Sequence, residues 1–398
     1  MEFLNMRTVA AVGLATIVAV TTGSPVAASD SRTIQADTKE NLLRQAERYL
    51  SDRAERVTEK YHTVQNGSRI NLTSVSATDA FSARLVQESS ELDARRERLR
   101  GYGGGFSSAD VRLDVQSIEI ASDTAHLRTI EHAKLFYSKV SPGAPTHSSY
   151  SLQHNLTFVF NPQTGWLLSG DQTNVPASAI GPFTHVTEGQ RTPASSPGVT
   201  PTLPGDAAVM SIKPAEVRSS APEKNTVDGP PYDYAKMAEY ARRWAKLRNP
   251  AFPQFGNDCM NFVSQSLLIG EWDQVRGDPN NASSWYVNST SDYSRTWSIS
   301  HEWYFFARVH SQRTTPLTYF EDLRIADVVQ VDWDNANGTP TPDGHLDHTM
   351  IVTQFIRPAL DGIYLSYHTN DTLDRRLDDL LAQVPADPGR ANYYGHRT

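Results

Sequence analysis

The chain has 398 residues, of which 38% are apolar and 21% are charged, a composition typical of a globular protein of about two domains. Its net charge of −8 argues against nucleic acid as a partner, because a basic excess is needed to neutralise phosphates. After the N-terminal region the chain has no long apolar run, so we expect no transmembrane segment there.

The first residues have the pattern of a signal peptide, which we assign to residues 1–28. Residues 9–20 form an apolar run that fits the core of a signal peptide and is too short to span a bilayer. Small residues follow and end at Ala28, so we expect cleavage after Ala28. This segment predicts a bacterial protein that is secreted, or held at the cell wall.

Residues 33–173 predict a small α+β domain. Apolar residues recur at three- and four-residue spacing up to about Leu99, a helical pattern. Strand-like runs follow, and in the first of them the alternation changes phase between Val115 and Ile118, which indicates a β-bulge. Helices followed by antiparallel strands form an α+β arrangement. This order of elements faintly resembles the NTF2-like and cystatin-like domains.

Residues 174–229 have a different composition from the segments on either side. Pro, Ser, Thr and Gly dominate, and the apolar periodicity disappears. Such a composition predicts an extended linker between the N-terminal domain and a second domain at residues 230–398.

The single cysteine of the chain, Cys259, lies at the start of a predicted helix that Gly270 ends. A sole cysteine in an exported chain indicates a reactive thiol or an intermolecular partner, and a buried inert thiol is the alternative. In the first turn, unpaired N–H groups and the helix dipole favour a negative charge. The thiol is therefore expected to ionise more readily, and the same N–H groups can hold an oxyanion.

A thiol nucleophile needs a base, and the chain has 12 histidines. His348 directly precedes the apolar, strand-like residues 349–356, so it stands on a rigid element and is the expected base. His345 lies in a loop rich in Pro, Gly and Asp and is expected to be exposed. The rival interpretation is a zinc site made of His345, Asp347, His348 and His368. It has no recognised metal-ligand spacing and leaves Cys259 unexplained, so we expect no metal and no cofactor.

The C-terminal segments carry several motifs in a fixed order. They are Arg248-Asn249-Pro250, Asp258-Cys259-Met260-Asn261-Phe262-Val263-Ser264-Gln265, Ala326-Asp327-Val328-Val329-Gln330, His348-Thr349-Met350-Ile351-Val352-Thr353 and Tyr367-His368-Thr369-Asn370-Asp371. This set resembles the family called "Putative amidase domain" over about residues 232–397. That family commonly has RNP and DCTNFVSQ, then a GD strand, an HSxIVT strand and a YxxHT strand. Met260, Ala326 and Thr349 depart from this pattern, and none of them removes a proposed catalytic group.

The resemblance implies a papain-like fold related to the NlpC/P60 amidases, in which a cysteine helix packs on an antiparallel sheet that bears the histidine. It implies Cys259 as nucleophile and His348 as base. The strand that begins at His348 and the strand that ends at His368 are expected to pair antiparallel, which sets those two ends side by side. His368 is therefore favoured over Asn370 or Asp371 as the residue that orients the ring of His348.

Asp258 has two interpretations. It is a natural N-cap of the cysteine helix. In related peptidoglycan amidases, an Asp beside the cysteine can instead contact a free amine of the substrate.

These observations predict a secreted cysteine amidase that hydrolyses amide bonds in peptide or peptidoglycan-type substrates through an acyl-enzyme. Two alternatives stay open. One is a surface- or wall-binding protein whose amidase-like domain is a catalytically idle scaffold. The other is an acyl-transferring enzyme with the same residues and an amine acceptor.

Overall fold

A computed structural model describes residues 26–64, 75–175, 181–186, 201–214, 232–333, 341–387 and 389–398. The chain forms two compact units, Met1–Asn41 and Leu42–Thr398, and the boundary falls within the first helix. The predicted core of the signal peptide, residues 9–20, lies outside the described residues.

Helices come first and strands follow in the N-terminal half, as predicted. The elements are α1 (Val26–Arg56), α2 (Asp79–Gly101), β1 (Phe106–Ala121), β2 (Thr124–Tyr137), β3 (His147–Asn161) and β4 (Gly165–Thr173). Helix α2 begins where the Thr78 hydroxyl accepts a hydrogen bond from the N–H of Phe81. The predicted bulge in the first strand is confirmed, because the register of β1 on β2 shifts between Val115 and Ser117.

In the C-terminal half, helices and short strands alternate along the chain. Its elements are α3 (Tyr234–Trp244), α4 (Cys259–Ile269), β5 (Val287–Ser289), β6 (Asp292–Tyr293), α5 (Arg295–Ser298), α6 (Ser300–Tyr304), β7 (Thr315–Leu317), β8 (Val328–Asp332), β9 (His348–Phe355), β10 (Ile363–Tyr367), β11 (Thr372–Arg376), α7 (Leu377–Gln383) and β12 (Asn392–Arg397). The predicted cysteine helix is α4. Three runs have a strand-like apolar sequence, residues 328–333, 349–356 and 363–367, and they correspond to β8, β9 and β10. The α+β class is confirmed.

Ten of the described strands form one sheet, in the order β1-β2-β3-β11-β10-β9-β8-β12-β7, with β4 paired to β3. Successive side chains of a strand point to opposite faces. On β9, Ile351 packs with Met260 and other residues of α4. Its neighbours Met350 and Val352 pack in a different cluster. We call these two sides of β9 the α4 face and the opposite face.

The predicted N-terminal and C-terminal domains share this sheet. Strand β11 pairs with β3 through Leu373 and Ser149. Beside this junction the hydroxyl of Tyr137 donates to the carbonyl of Asp374 at 3.0 Å and accepts from the N–H of Arg376 at 2.8 Å. The boundary predicted at residue 230 therefore does not separate two independent bodies within Leu42–Thr398.

The described parts of the predicted linker are packed against the rest of the unit. Phe183 is buried, and its ring centroid lies 5.3 Å from that of Phe106. Further along, Met210 is buried and its N–H donates to the carbonyl of Tyr393 at 2.7 Å. The expectation of an extended linker therefore does not hold for residues 181–186 and 201–214. Residues 176–180, 187–200 and 215–229 of the predicted linker lie outside the described residues.

A fragment that begins at Asp228 is expected to be less stable than the full chain, because it lacks β3 and Tyr137. The fragment loses the two hydrogen bonds that Tyr137 makes to backbone groups of β11, each worth about 0.5–1.5 kcal/mol, and it loses the packing and pairing of β3 as well. We expect the fragment to lose about 3 kcal/mol or more in free energy of unfolding, measured by denaturant titration. In the full chain, Tyr137→Phe keeps β3, removes the same two bonds and should show part of that loss. A fragment as stable as the full chain would contradict the shared sheet.

Candidate active site

Cys259 is the first residue of α4 and is 3% exposed. Two buried tryptophans, which follow α4 in the chain, form hydrogen bonds to side chains of that helix. The indole N–H of Trp285 donates to the hydroxyl of Ser264 at 3.1 Å, and that of Trp297 donates to Oδ1 of Asn261 at 2.7 Å. These bonds fix the position of the helix that carries the thiol.

Polar groups surround the sulfur of Cys259. The Ser300 hydroxyl lies 3.4 Å from Sγ, and Oδ1 of Asn257 accepts from the thiol at 3.5 Å. The backbone N–H groups of Met260 and Thr349 are also near enough to Sγ to favour its charged form. The N–H of Thr349 comes from β9, so the thiol lies against the beginning of that strand.

The pKa of the Cys259 thiol is raised above its ordinary value. Burial is the main cause, and the nearby carboxylate of Asp258 adds to it. The Ser300 hydroxyl and the two backbone N–H groups act in the opposite direction. The sequence predicts a thiol that ionises more readily. In this structure the loss of solvation raises the pKa of Cys259 by more than the nearby hydrogen-bond donors lower it.

Asp258 occupies the N-cap position of α4, but its side chain makes no capping hydrogen bond to that helix. Its Oδ1 accepts from the N–H of Phe255 at 3.2 Å and from Nδ2 of Asn261 at 2.7 Å. Its Oδ2 accepts from Nδ1 of His368 at 2.6 Å and lies 3.2 Å from Nε of Arg248. Asp258 therefore stands at the predicted N-cap position but does not cap the helix through its side chain. Its buried carboxylate instead joins His368 to the start of α4.

The ring of His368 lies on the α4 face of the sheet. It stacks on Phe262, one helical turn after Cys259, with 4.1 Å between ring centroids. Its Nε2 donates to the carbonyl of Trp244, at the end of α3, at 2.8 Å. His368 is thus held by both helices that cover this face.

The ring of His348 lies on the opposite face. It stacks on Trp333 at 6.0 Å and meets Tyr367 edge-on at 5.0 Å. Neither ring nitrogen has a hydrogen-bond partner among the described residues. Burial, followed by the positive charge of Arg375, lowers the pKa of His348 to about 3. Because the next residue, Thr349, faces the thiol, strand alternation turns His348 away from it.

The structure therefore corrects the predicted arrangement of the two histidines. Strands β9 and β10 do pair antiparallel, but both nitrogens of His368 are bonded to groups other than His348. His348 is not brought to Cys259. The structure gathers Cys259, Asp258 and His368 on one face.

The remaining predicted residues have separate environments. Asn370 is buried, and its side-chain amide has no hydrogen-bond partner among the described residues. Asp371 accepts from Nη1 of Arg248 at 2.7 Å, so that arginine bridges Asp371 and Asp258. His345 is only half-buried. In the part of the chain that the structure describes, no group of three or more His, Cys, Asp or Glu side chains is placed to hold a metal ion.

Sequence reasoning missed two residues near the thiol. Ser300 belongs to no motif, and only the fold brings α6 to Cys259. Gln330 ends the Asp327-to-Gln330 motif, and its partner across β8 and β9 is Thr349. The place of Gln330 in that motif is the sequence feature that could have pointed to a role near the thiol.

Comparison with known proteins finds similarity in the C-terminal part of the chain. The model of the family described as "Putative amidase domain" matches residues 231–391. Uncharacterized protein YhbB of Bacillus subtilis (strain 168) is 30% identical over 138 residues, which are 34% of this chain and 42% of YhbB. Uncharacterized protein YjcM of the same organism is 29% identical over 145 residues, 35% of this chain and 31% of YjcM. The chain thus spans less than half the length of these relatives.

The family match supports a C-terminal amidase-like domain. No solved structure matches this chain. The papain-like, NlpC/P60 and NTF2-like likenesses therefore stay predictions. None of the helices in the described ranges is long and apolar enough to cross a membrane.

Proposed function

We propose that this protein is a secreted cysteine amidase that hydrolyses amide bonds in cell-wall peptides. In this proposal Cys259 is the nucleophile, and the His368–Asp258 pair takes the role that the sequence gives to His348. The observation that carries the proposal is the bond from His368 to Asp258, the residue directly before the nucleophile. A histidine oriented by a carboxylate beside a cysteine at a helix start is an arrangement suited to acyl transfer.

The reaction follows from these positions. His368 accepts the proton of the Cys259 thiol. The thiolate then attacks the carbonyl carbon of the substrate amide, and the first-turn N–H groups stabilise the oxyanion. The amine leaves with a proton from His368, and a thioester to Cys259 remains. Water then attacks the thioester, gives its proton to His368 and releases the acid.

Asp258 fixes the nitrogen of His368 that exchanges the proton. Nδ1 is bound to Asp258, so Nε2 is the nitrogen that serves the substrate. In this structure Nε2 donates to the Trp244 carbonyl, and that bond must be exchanged when substrate binds. Catalytic hydrogen bonds often form fully only in the substrate complex.

The proposed location and substrate class rest on the sequence of the N-terminal segment and on the amidase-like domain. Export followed by cleavage after Ala28 places the enzyme outside a bacterial cell, where wall peptides are the abundant amide substrate. Sequencing the mature protein from its native host should find Ser29 at or near the N-terminus. A mature form that begins at Met1 or Met6 would contradict export.

Incubation of the mature protein with defined wall peptides tests the proposed reaction directly. Hydrolysis should give two new ends, seen by mass spectrometry as fragments whose summed mass exceeds the peptide by one water. Fragments joined to an added amine would identify an acyl-transferring enzyme instead. Uncut peptides together with an unreactive Cys259 would identify an idle, wall-binding scaffold.

A further inference from the structure

A chain of buried polar groups leads from the sheet to the sulfur of Cys259. It begins at Gln330 on β8, whose Nε2 lies 2.7 Å from the backbone carbonyl of Ser300 and 3.2 Å from Oγ1 of Thr349. A carbonyl can only accept, so the contact with Ser300 fixes which end of the Gln330 amide is nitrogen. Gln330 is therefore the donor to the hydroxyl of Thr349.

The direction of the next bonds follows from the hydrogens available. The Thr349 hydroxyl accepts from Gln330 and donates to Oγ of Ser300 at 2.8 Å. Since Oγ of Ser300 already accepts this bond, its own hydrogen is free to point to Sγ of Cys259 at 3.4 Å. The four residues of this chain of bonds, Gln330, Thr349, Ser300 and Cys259, are at most 6% exposed. Bulk water therefore does not compete for these bonds.

We propose that Ser300 is a positioning residue that donates a hydrogen bond to Sγ of Cys259, with its hydroxyl oriented by Thr349 and Gln330. The inference rests on the proposed role of Cys259 as nucleophile. A donor aimed at sulfur stabilises the thiolate more than the thiol, because hydrogen bonds to charged groups are the stronger ones. Such a bond partly offsets the burial that opposes ionisation of Cys259.

The ionisation of Cys259 tests this inference in the full chain without substrate. The ultraviolet absorbance of the thiolate is followed against pH, and the signal of the Cys259→Ala variant is subtracted to remove tyrosine ionisation. We expect Ser300→Ala to raise the midpoint by about 1 pH unit, which corresponds to the loss of one hydrogen bond to a charged group. Thr349→Val should shift the midpoint in the same direction by less, because the Ser300 hydroxyl then loses its orientation but remains present.

Two control variants separate this effect from a general disturbance of the site. Ser266→Ala removes a different buried hydroxyl, which lies on α4 and donates to the carbonyl of Phe262, and it should leave the midpoint unchanged. Ser300→Thr keeps the hydroxyl and should lie near the wild type. If Ser300→Ala does not fold, the shift in Thr349→Val decides. A midpoint equal to that of the wild type in a folded Ser300→Ala variant would overturn the inference.

The outcome is distinguishable from failure of the proposed function. A shift in Ser300→Ala without any cleavage of wall peptides supports the role of Ser300 at the sulfur and rejects the proposed amidase reaction. Cleavage that depends on Cys259, with no shift in Ser300→Ala, rejects the role of Ser300 alone.

Discussion

Replacing Cys259 by serine is expected to lower the rate of amide hydrolysis at least about a thousandfold, because removal of a nucleophile leaves only substrate binding and oxyanion stabilisation. The hydroxyl is much less nucleophilic at neutral pH than the thiolate. It is also smaller than the thiol and can keep a bond to Ser300, so the melting temperature should change little. The measurement is kcat/KM on a wall peptide that the wild type cuts.

Ser266→Ala is the matched control for Cys259→Ser, since it alters a buried side chain of the same helix away from the sulfur. It should retain hydrolysis. Full activity in a folded Cys259→Ser variant would remove Cys259 from the mechanism.

The second large effect is expected at His368. His368→Ala should lower kcat about 10²- to 10⁴-fold, the usual contribution of a general acid–base group. Asp258→Asn keeps the shape of its side chain and should also lose activity, since an amide does not hold the ring as the carboxylate does. Both variants are compared with the wild type at a temperature where circular dichroism shows that all are folded.

His348→Ala is the informative comparison for His368→Ala. Its ring fills space between Trp333 and Tyr367 on the opposite face, so its removal should lower stability and retain most of the hydrolysis. His345 lies in a loop, so His345→Ala should have little effect on stability or on hydrolysis. An inactive but folded His348→Ala variant beside a nearly active His368→Ala variant would restore the assignment made from the sequence.

The elements around the site could be predicted from the sequence because their signals are local. Apolar runs predict β8, β9 and β10, and Gly270 marks the end of the cysteine helix. The motif residues also converge, since Arg248 contacts both Asp258 and Asp371, and Asp258 binds His368. These contacts explain why the motifs contain Arg248, Asp258, His368 and Asp371.

The face on which His348 lies could not be predicted. Strand β9 is buried on both sides, with Ile351 packed toward one face and Met350 toward the other. A strand that is buried on both faces lacks a solvent-facing polar side, so its sequence pattern does not indicate which face α4 covers. Strand alternation gives relative directions only, so the sequence could place His348 at the beginning of the strand but not on a face.

The packing of the linker and the shared sheet depend on contacts that are distant in sequence. Phe183 and Met210 belong to a segment that is rich in Pro, Ser, Thr and Gly and has no apolar periodicity, so no periodic pattern marks them as buried. The pairing of Leu373 with Ser149 joins segments more than 200 residues apart. Local propensity contains no information on such a pairing.

The mass of the protein during turnover tests the central claim most directly. The mature chain is mixed with a wall peptide that it cuts, quenched in acid, and measured intact and after proteolysis. We predict an increase equal to the mass of the acyl fragment, located on the peptide that contains Cys259 and absent from Cys259→Ala. Continued cleavage by Cys259→Ala, with no acyl group on Cys259 in the wild type, would contradict catalysis by this cysteine.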